Sequence, residues 1–257
     1  TINAEFRRAR RDDDVAAIVF RINSGGGESL ASDLMSREVD ITGDEKPVIV
    51  SMVNVAASGG YMIAYKADRL IADQTTVTGS IGSISMKFNM KGLYDKLGIT
   101  FDVVTKGPNA LMWSERRDFD EKEWDIFTKD HWEGFNAWLA DVADRRGMTF
   151  EEAEQLAHGR VWTGRQAEKN GLIDEVGDLD RAIEIAREMA EIPEDDEVTI
   201  EHRPRKKGLL ESIMGGQGSI AAVSRYVVWR FIRTDVADTW RMVTEGRLDA
   251  MADVPIE

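Results

Sequence analysis

The chain has 257 residues, of which 42% are hydrophobic, and carries a formal net charge of −14. That length and hydrophobic share are enough for one large or two small globular domains with a buried core. The negative charge argues against a nucleic-acid partner, because phosphate binding depends on clustered Lys and Arg side chains. With no cysteine in the chain, disulfides, thiolate metal sites and a cysteine nucleophile are all excluded. The three histidines show no ligand spacing, so we expect no metal or other cofactor.

In the first half of the chain, strand-like and helix-like segments alternate. A β-branched apolar run at 16–22 predicts the first strand, which ends in the turn-forming sequence Asn23–Gly27 before a predicted helix at 28–40. The further predicted strands are 48–52, 69–72 and 100–104, and the further predicted helices of this half are 4–11, 61–66 and 91–97. Such alternation favours right-handed βαβ crossovers. The sequence therefore predicts an α/β fold with a mostly parallel sheet whose loops gather at one end.

Beyond residue 120 the pattern becomes helical. The long segment 121–146 carries aromatic side chains three and four residues apart, a stripe that predicts packing in a core or at an interface. Shorter helices are predicted at 150–157, 164–170 and 179–190. We assign residues 1–192 to one domain, and residues 193–257 to an acidic link followed by a C-terminal extension.

The C-terminal extension is expected to be helical. Apolar residues recur there at helical spacing beside arginines, namely Ile220, Val223, Val227 and Phe231. Such an amphipathic helix is expected either to lie on an anionic membrane surface or to pack against a partner or the rest of the chain. No apolar run in the sequence reaches the roughly 18 residues that a membrane-spanning helix needs.

One serine lies in a sequence typical of a catalytic nucleophile. Ser58 follows two alanines and precedes two glycines, between a predicted strand and a predicted helix, so its small neighbours leave the hydroxyl accessible. Unpaired N–H groups at a helix N-terminus can stabilise a developing oxyanion, which makes the Gly59 N–H a candidate donor. A second donor would come from the glycines at the end of the neighbouring strand, where the backbone can approach a substrate carbonyl without a side-chain clash. Among these glycines, Gly26 is the preferred donor.

Each glycine motif, taken singly, has a simpler explanation. A serine before two glycines is more often a helix N-cap, and three consecutive glycines are more often a turn or an anion site. A phosphate-binding loop is excluded because no Gly-Lys-Ser/Thr follows the glycines, and a dinucleotide-binding loop would need a third, spaced glycine.

Four motifs in order make a more specific pattern than any one of them. They are Asn-Ser-Gly-Gly-Gly at 23–27, Val-Ala-Ala-Ser-Gly-Gly-Tyr at 55–61, Thr-Gly-Ser-Ile-Gly at 78–82 and Gly-Arg-Val-Trp-Thr-Gly-Arg-Gln-Ala at 159–167. In this combination the chain, from its first residue to about residue 192, resembles the S49 peptidases, the signal peptide peptidase A family. The resemblance implies a ClpP/crotonase-like fold and a Ser-Lys dyad that cuts peptides, with remnant signal peptides as the characteristic substrates.

The resemblance also implies roles for individual residues. Ser58 matches the family's nucleophile, Gly59 and Gly26 match its oxyanion-hole donors, and Ser80 matches the serine that helps to hold the lysine. Such a lysine must be neutral enough to accept the serine proton, which burial away from carboxylates can provide. Gly25 stands where the family usually has proline, a change that loosens the turn and leaves the donor less preorganised.

The general base of the dyad is missing from its expected place. In single-domain relatives the lysine lies in a segment that aligns with residues 106–111, and its position falls on Ala110, which cannot accept a proton. Lys106 lies four positions earlier, about 13 Å along an extended chain, so its use as the base would need a large local rearrangement. Lys87 and Lys91 follow the Ser80 loop and could in principle reach across, but each is more simply explained as a solvated charge. In double-length members of the family, the serine comes from the C-terminal half and the lysine from the N-terminal half. The chain resembles that C-terminal half, without the domain's expected first strand, so we expect a companion half or a neighbouring subunit to supply the lysine.

The sequence thus supports three functional hypotheses. The first is a serine endopeptidase acting on hydrophobic peptides, and the second is a non-catalytic assembly or binding subunit of such a peptidase. The third is a crotonase-type acyl-CoA enzyme on the same fold. The resemblance further implies a homo-oligomer at the periplasmic face of a bacterial inner membrane.

Overall fold

The computed structural model describes residues 2–193 and 195–204. Its helices are Ile2–Arg10 (α1), Ser29–Gly43 (α2), Gly59–Met62 (α3), Lys91–Leu97 (α4), Glu121–Arg146 (α5), Phe150–Leu156 (α6), Gly164–Lys169 (α7) and Leu179–Met189 (α8). Its strands are Ile18–Ser24 (β1), Val48–Ala57 (β2), Arg69–Ala72 (β3), Val77–Gly79 (β4), Val161–Thr163 (β5) and Glu175–Val176 (β6). All of these elements lie in the compact unit Thr1–Ile200, and of the second unit, Glu201–Glu257, the structure describes residues 201–204.

The sheet is built around β2. Residues 48–52 of this strand pair in parallel with β1, and residues 49–52 also pair in parallel with β3. The last three residues, 55–57, pair in parallel with β4. The β3–β6 pair is parallel as well, whereas β4 and β5 are antiparallel. The predicted α/β fold with a mostly parallel sheet is therefore confirmed.

Helices cover both faces of the sheet, as a buried parallel sheet requires. Because successive side chains of a strand point to opposite faces, Ile49 and Val50 enter different parts of the core. Ile49 packs with Ile185 of α8, while Val50 belongs to the cluster that contains Leu139 of α5. The core thus fixes the position of β2, and therefore also that of Ser58, which follows the carboxyl end of this strand.

The long helix α5 shows how local sequence sets its bounds. The Asp120 carboxylate accepts the Glu123 N–H while the Glu123 side chain accepts the Asp120 N–H, which is a capping box at the N-terminus. At the other end Gly147 ends the helix with a φ of 65°. The aromatic side chains of the predicted stripe differ in burial along this helix. Phe135 and Trp138 are buried, whereas Trp124 toward the N-terminus is exposed.

The predicted strand at 100–104 is wrong. These residues form no regular structure and lie in a segment, residues 83–119, that we call the arm. Val104 in the arm is fully exposed and Val103 is 46% exposed. A run with β propensity forms a strand only where a neighbouring strand can pair with it, and among the described residues the arm contributes none to the sheet.

Other differences concern lengths and short elements. β2 extends to Ala57, five residues beyond its predicted end, and therefore leads directly into Ser58. The strands β4, β5 and β6, of two or three residues each, were not predicted. The predicted helical C-terminal extension, with its membrane-facing residues, falls on residues 205–257, outside the described part of the chain. The domain boundary at 192/193 stays a prediction.

Candidate active site

Ser58 occupies a sharp turn between β2 and α3. Its φ of 53° and ψ of −122° lie outside the regions that residues with a side chain usually adopt. Hydrogen bonds hold this backbone in place, because the Ser58 N–H donates to the Gly79 carbonyl at 2.8 Å and the Ser58 carbonyl accepts from Met62 at 2.9 Å. Such strained residues are found disproportionately at functional sites. The turn places a half-buried serine at the carboxyl edge of a parallel sheet, where ligands of open α/β sheets bind.

The glycine turn, residues 25–27, lies against the turn at Ser58. Gly26 has a φ of 106°, and a Cβ added to it would lie 2.7 Å from the Gly59 N and 2.8 Å from the Ser58 Cβ. Real Cβ atoms do not approach other atoms this closely, so the site requires glycine at position 26. The structure therefore brings together Gly26, Ser58 and Gly59, and their catalytic roles stay a prediction.

The two glycines after Ser58 are also required by close contacts. A Cβ on Gly59 would lie 2.6 Å from the Ser32 Oγ of α2, and a Cβ on Gly60 would collide with the Ser24 carbonyl oxygen. Ser32 is 5% exposed, and its hydroxyl donates to the Glu28 carbonyl at 2.9 Å. Ser24 lies in the first of the four motifs but was assigned no role, and no sequence signal pointed to Ser32, because their contacts with the serine turn exist only after β1 and α2 have packed against β2.

Ser80 follows the strand that neighbours β2. Ala57 pairs with Gly79, so Ser58 and Ser80 occupy equivalent positions just beyond the ends of two parallel strands. Neighbouring strands lie about 4.8 Å apart. Ser80 is half-buried, has a φ of 48°, and donates its N–H to the Arg160 carbonyl at 2.7 Å.

Glu28, the acidic residue beside the glycine turn, is engaged by its own helix. It is the N-cap of α2, and its carboxylate accepts the N–H groups of Leu30 at 3.0 Å and Ala31 at 2.6 Å. No catalytic role was predicted for it from the sequence, and the geometry gives it a capping role.

The lysines considered as a base for Ser58 contact other residues or are exposed, and the Lys87 Nζ is buried without a hydrogen-bond partner among the described residues. Lys66 forms an ion pair with Asp141 at 2.7 Å, Lys87 Nζ lies 4.2 Å from the Phe119 ring centroid, Lys91 contacts Asp95 at 2.6 Å, and Lys106 is exposed in the arm. Among the described residues, no lysine donates a hydrogen bond to Ser58. Ala110, the position at which the family's lysine was expected, is exposed in the arm.

His131 and His158 each contact a side chain outside the serine turn. His131 Nδ1 lies 2.9 Å from the Ser85 hydroxyl, and His158 Nε2 lies 3.7 Å from a Glu154 carboxylate oxygen. No group of three or more metal-ligating side chains occurs in the described part of the chain. Within residues 2–193 and 195–204, no helix has the length and apolar character needed to cross a bilayer.

The fold is similar to that of a solved bacterial protein. A mutant form of ClpP1 from Listeria monocytogenes superimposes with a TM-score of 0.50 at 13% sequence identity, covering 71% of this chain and 85% of that one. At this identity the similarity concerns the fold alone, and it confirms the predicted ClpP-like architecture.

Three curated relatives are similar in sequence over most of the chain. The chain is 40% identical over 216 residues to the chloroplastic serine protease SPPA of Arabidopsis thaliana, covering 84% of the chain and 32% of the relative. It is 36% identical over 192 residues to Protease 4 of Haemophilus influenzae, covering 74% of the chain and 31% of the relative. A putative signal peptide peptidase SppA of Enterococcus faecium is 29% identical over 241 residues, covering 91% of the chain and 70% of the relative. The chain spans about a third of the length of the first two.

A family model fits the central part of the sequence. The model of Peptidase family S49 matches residues 41–193. This match includes Ser58, Ser80 and the motif at 159–167, whereas the glycine turn precedes it. Because the match covers more than half of the chain, the chain belongs to peptidase family S49.

Proposed function

We propose that this chain is the serine-bearing part of a serine endopeptidase, with Ser58 as the nucleophile. The observation that carries the proposal is the packing of two glycine segments around a strained serine at the end of a parallel strand. Gly26 and Gly59 meet beside the Ser58 side chain, at a distance that no larger residue at position 26 would allow. A scaffold has no physical need for that close approach.

In the proposed reaction, the Ser58 Oγ attacks the carbonyl carbon of a peptide bond and loses its proton to a neutral lysine. The N–H groups of Gly59 and Gly26 donate to the oxyanion of the tetrahedral intermediate. The intermediate then collapses, the lysine gives its proton to the leaving amine, and an acyl-enzyme ester remains on Ser58. A water molecule, deprotonated by the same lysine, hydrolyses that ester and restores the serine.

The lysine, in this proposal, comes from a companion half or a neighbouring subunit, and Ser80 helps to hold it. Three observations support this source. The lysines nearest in sequence have other contacts, Ala110 stands where the resemblance places the family's lysine, and the chain spans about a third of its Arabidopsis and Haemophilus relatives. The arm, whose apolar side chains are exposed, offers a surface on which such a partner or a second copy can dock.

The proposed substrates are hydrophobic peptides such as remnant signal peptides. One relative is named a putative signal peptide peptidase, and Leu30, three residues after the glycine turn, is an apolar side chain that exposes 64% of its surface. We place the assembled enzyme at the periplasmic face of a bacterial inner membrane, with contact to the membrane surface. Two of the relatives are bacterial Protease 4 enzymes, from Haemophilus influenzae and Salmonella typhi, which supports a bacterial peptidase.

The second candidate is a non-catalytic assembly or binding subunit of such a peptidase. The missing lysine favours it. It predicts that the chain binds its partner but that Ser58 contributes nothing to hydrolysis.

The deciding experiment is hydrolysis of a fluorogenic hydrophobic peptide by three preparations. They are the chain alone, the chain with its companion half, and the full-length protein. Each is prepared both as wild type and with Ser58→Ala. We expect hydrolysis only in the two longer preparations and its loss, by at least about a thousandfold, with Ser58→Ala. The control is Thr199→Ala, at an exposed hydroxyl residue outside the arm, which should leave activity unchanged.

Two other results would each change the conclusion. Inactivity of all three preparations would favour the assembly subunit. Hydrolysis by the chain alone, abolished by Ser58→Ala, would place the base within this chain and turn attention to Lys87, Lys91 and Lys106.

A further inference from the structure

The N–H group proposed as the second oxyanion donor already has an acceptor in this structure. The Gly26 N–H donates to the Ser24 hydroxyl oxygen at 3.2 Å. We propose that Ser24 is a positioning residue, which holds the Gly26 N–H in the resting site and releases it to the oxyanion during acylation. This inference rests on the proposed function and adds to it a residue that controls the oxyanion hole.

The backbone of Ser24 is held by two neighbouring segments, and this position sets where its hydroxyl can lie. It is the last residue of β1 and pairs with Ala56 of β2, after a shift in the pairing register between Ile22 and Ser24. Its carbonyl packs against Gly60, in the turn that carries Ser58. The residue that holds the Gly26 N–H therefore also contacts the segment that carries the nucleophile.

The glycine turn itself has little to restrain it. Gly25 stands in open space, since an added Cβ would meet nothing within 4 Å, and Gly27 is equally open. Three successive glycines have the largest conformational freedom of any backbone. The Ser24–Gly26 hydrogen bond closes a turn of the kind that serine forms with an amide two residues later. This bond therefore holds the Gly26 N–H in its resting conformation, in which it donates to Ser24.

The same bond competes with catalysis. The Gly26 N–H has one proton to donate, and in the resting site the Ser24 hydroxyl accepts it. An oxyanion is a stronger acceptor than a neutral hydroxyl, so the N–H transfers its hydrogen bond to the oxyanion as the tetrahedral intermediate forms. No covalent bond to Gly26 or Ser24 changes in this exchange. Breaking the resting hydrogen bond adds to the acylation barrier, so removing the acceptor should lower that barrier.

Ser24→Ala tests this exchange in the chain assembled with its companion half. Hydrogen exchange of the Gly26 amide, followed by NMR, should become faster because the amide has lost its acceptor. The kcat for the fluorogenic peptide should rise about three- to tenfold, the range expected for one neutral hydrogen bond, while KM stays within about twofold. Ser24→Cys, similar in shape but with a weaker acceptor, should fall between wild type and Ser24→Ala, and Ser24→Thr, which keeps the hydroxyl, should match wild type.

Two outcomes would overturn the proposal. One is unchanged Gly26 amide exchange in Ser24→Ala, since no hydrogen bond would then have been lost. The other is a fall in kcat that Ser24→Thr restores, which would make the hydroxyl a support of the active turn rather than a competitor. The amide exchange does not depend on activity, so failure of the peptidase proposal itself, revealed by Ser58→Ala, remains distinguishable. Ser24→Cys keeps the test valid if Ser24→Ala fails to fold.

Discussion

Gly26 has a backbone conformation and a neighbourhood that together exclude a side chain. Its φ of 106° is one that L-residues rarely adopt, and the Gly59 N would lie 2.7 Å from an added Cβ. Gly25, its neighbour in the same turn, has neither constraint, because a Cβ there would meet open space. The two adjacent glycines therefore offer a matched pair of substitutions, in which one disturbs the candidate oxyanion hole and the other does not.

For Gly26→Ala we expect peptide hydrolysis to fall by about a hundredfold or more, the effect of losing one oxyanion donor. The strained backbone should also lower the free energy of unfolding by about 1–3 kcal/mol. Gly25→Ala should retain activity within a few-fold. Hydrolysis rates and urea denaturation, measured on both variants, check this prediction. Equal activity of the two variants would show that Gly26 does not bind the oxyanion.

Among the elements, α5 contacts the arm through several side chains, one of which is a buried carboxylate. Glu123 is 1% exposed and accepts two hydrogen bonds from the Arg117 guanidinium, at 2.7 and 2.5 Å, while it also completes the capping box. The hydrogen bonds from Arg117 lower the pKa of Glu123 to about 2, with a further contribution from the Asp120 N–H and against the effect of burial. Because the folded-state pKa lies below the usual value of 4.5, this group stabilises the fold above pH 4.5 and loses its contribution as the pH falls toward 2.

Glu123→Gln should lower the Tm at neutral pH, because glutamine keeps the shape and the capping bond but loses the charge paired with Arg117. The difference in Tm between wild type and the variant should shrink as the pH falls from 4.5 toward 2, where the wild-type carboxylate becomes protonated. Glu121→Gln, at an exposed glutamate of the same helical turn, serves as the control and should have a small effect throughout. Thermal unfolding at a series of pH values measures both, and a Glu123→Gln effect that is constant with pH would contradict the assignment.

How much of the fold could be predicted depends on the length of the element and on what pairs with it. Long segments were predicted best: both bounds of α5 and the start of β2 agree with the structure, because periodicity accumulates over their length. β4 and β6 have three and two residues, too few to show a period. Thr100–Val104 has the composition of a strand, but pairing decides a strand and no neighbour among the described residues pairs with it.

In the candidate site, too, some features could be predicted from the sequence and others could not. Ser58 and the glycines around it have a sequence signal, because a turn and a close backbone approach demand small residues at fixed positions. The hydrogen bond from the Gly26 N–H to Ser24 has none, because it depends on one side-chain rotamer at the end of β1. Likewise, the Ser32 contact with Gly59 depends on how α2 packs against the serine turn.

For the molecule as a whole, the arm differs in charge from the rest of the chain. It contains six Lys or Arg and four Asp or Glu, a net charge of +2, so the remainder of the chain carries −16. The arm also exposes large apolar side chains, among them Ile84 at 88% and Val104 at 100%. Exposed apolar groups bordered by charge are typical of protein interfaces, and a positive surface complements an acidic partner such as a second copy of this chain. The arm is thus the surface at which we expect the companion half or a second copy to bind.

Replacing two of these exposed residues, in the double variant Ile84→Asp with Val104→Asp, should weaken association with the partner by at least about a hundredfold, since each buried aliphatic side chain contributes about 1.5–3 kcal/mol. Peptide hydrolysis should fall in parallel, because the partner supplies the lysine in the proposed mechanism, while the Tm of the chain alone stays unchanged. Ile200→Asp, at a residue 57% exposed outside the arm, is the control. Sedimentation velocity and hydrolysis, measured over a range of partner concentrations, separate binding from catalysis. Loss of activity with unchanged association would place these residues at the substrate instead, and unchanged activity and association would remove the arm from the interface.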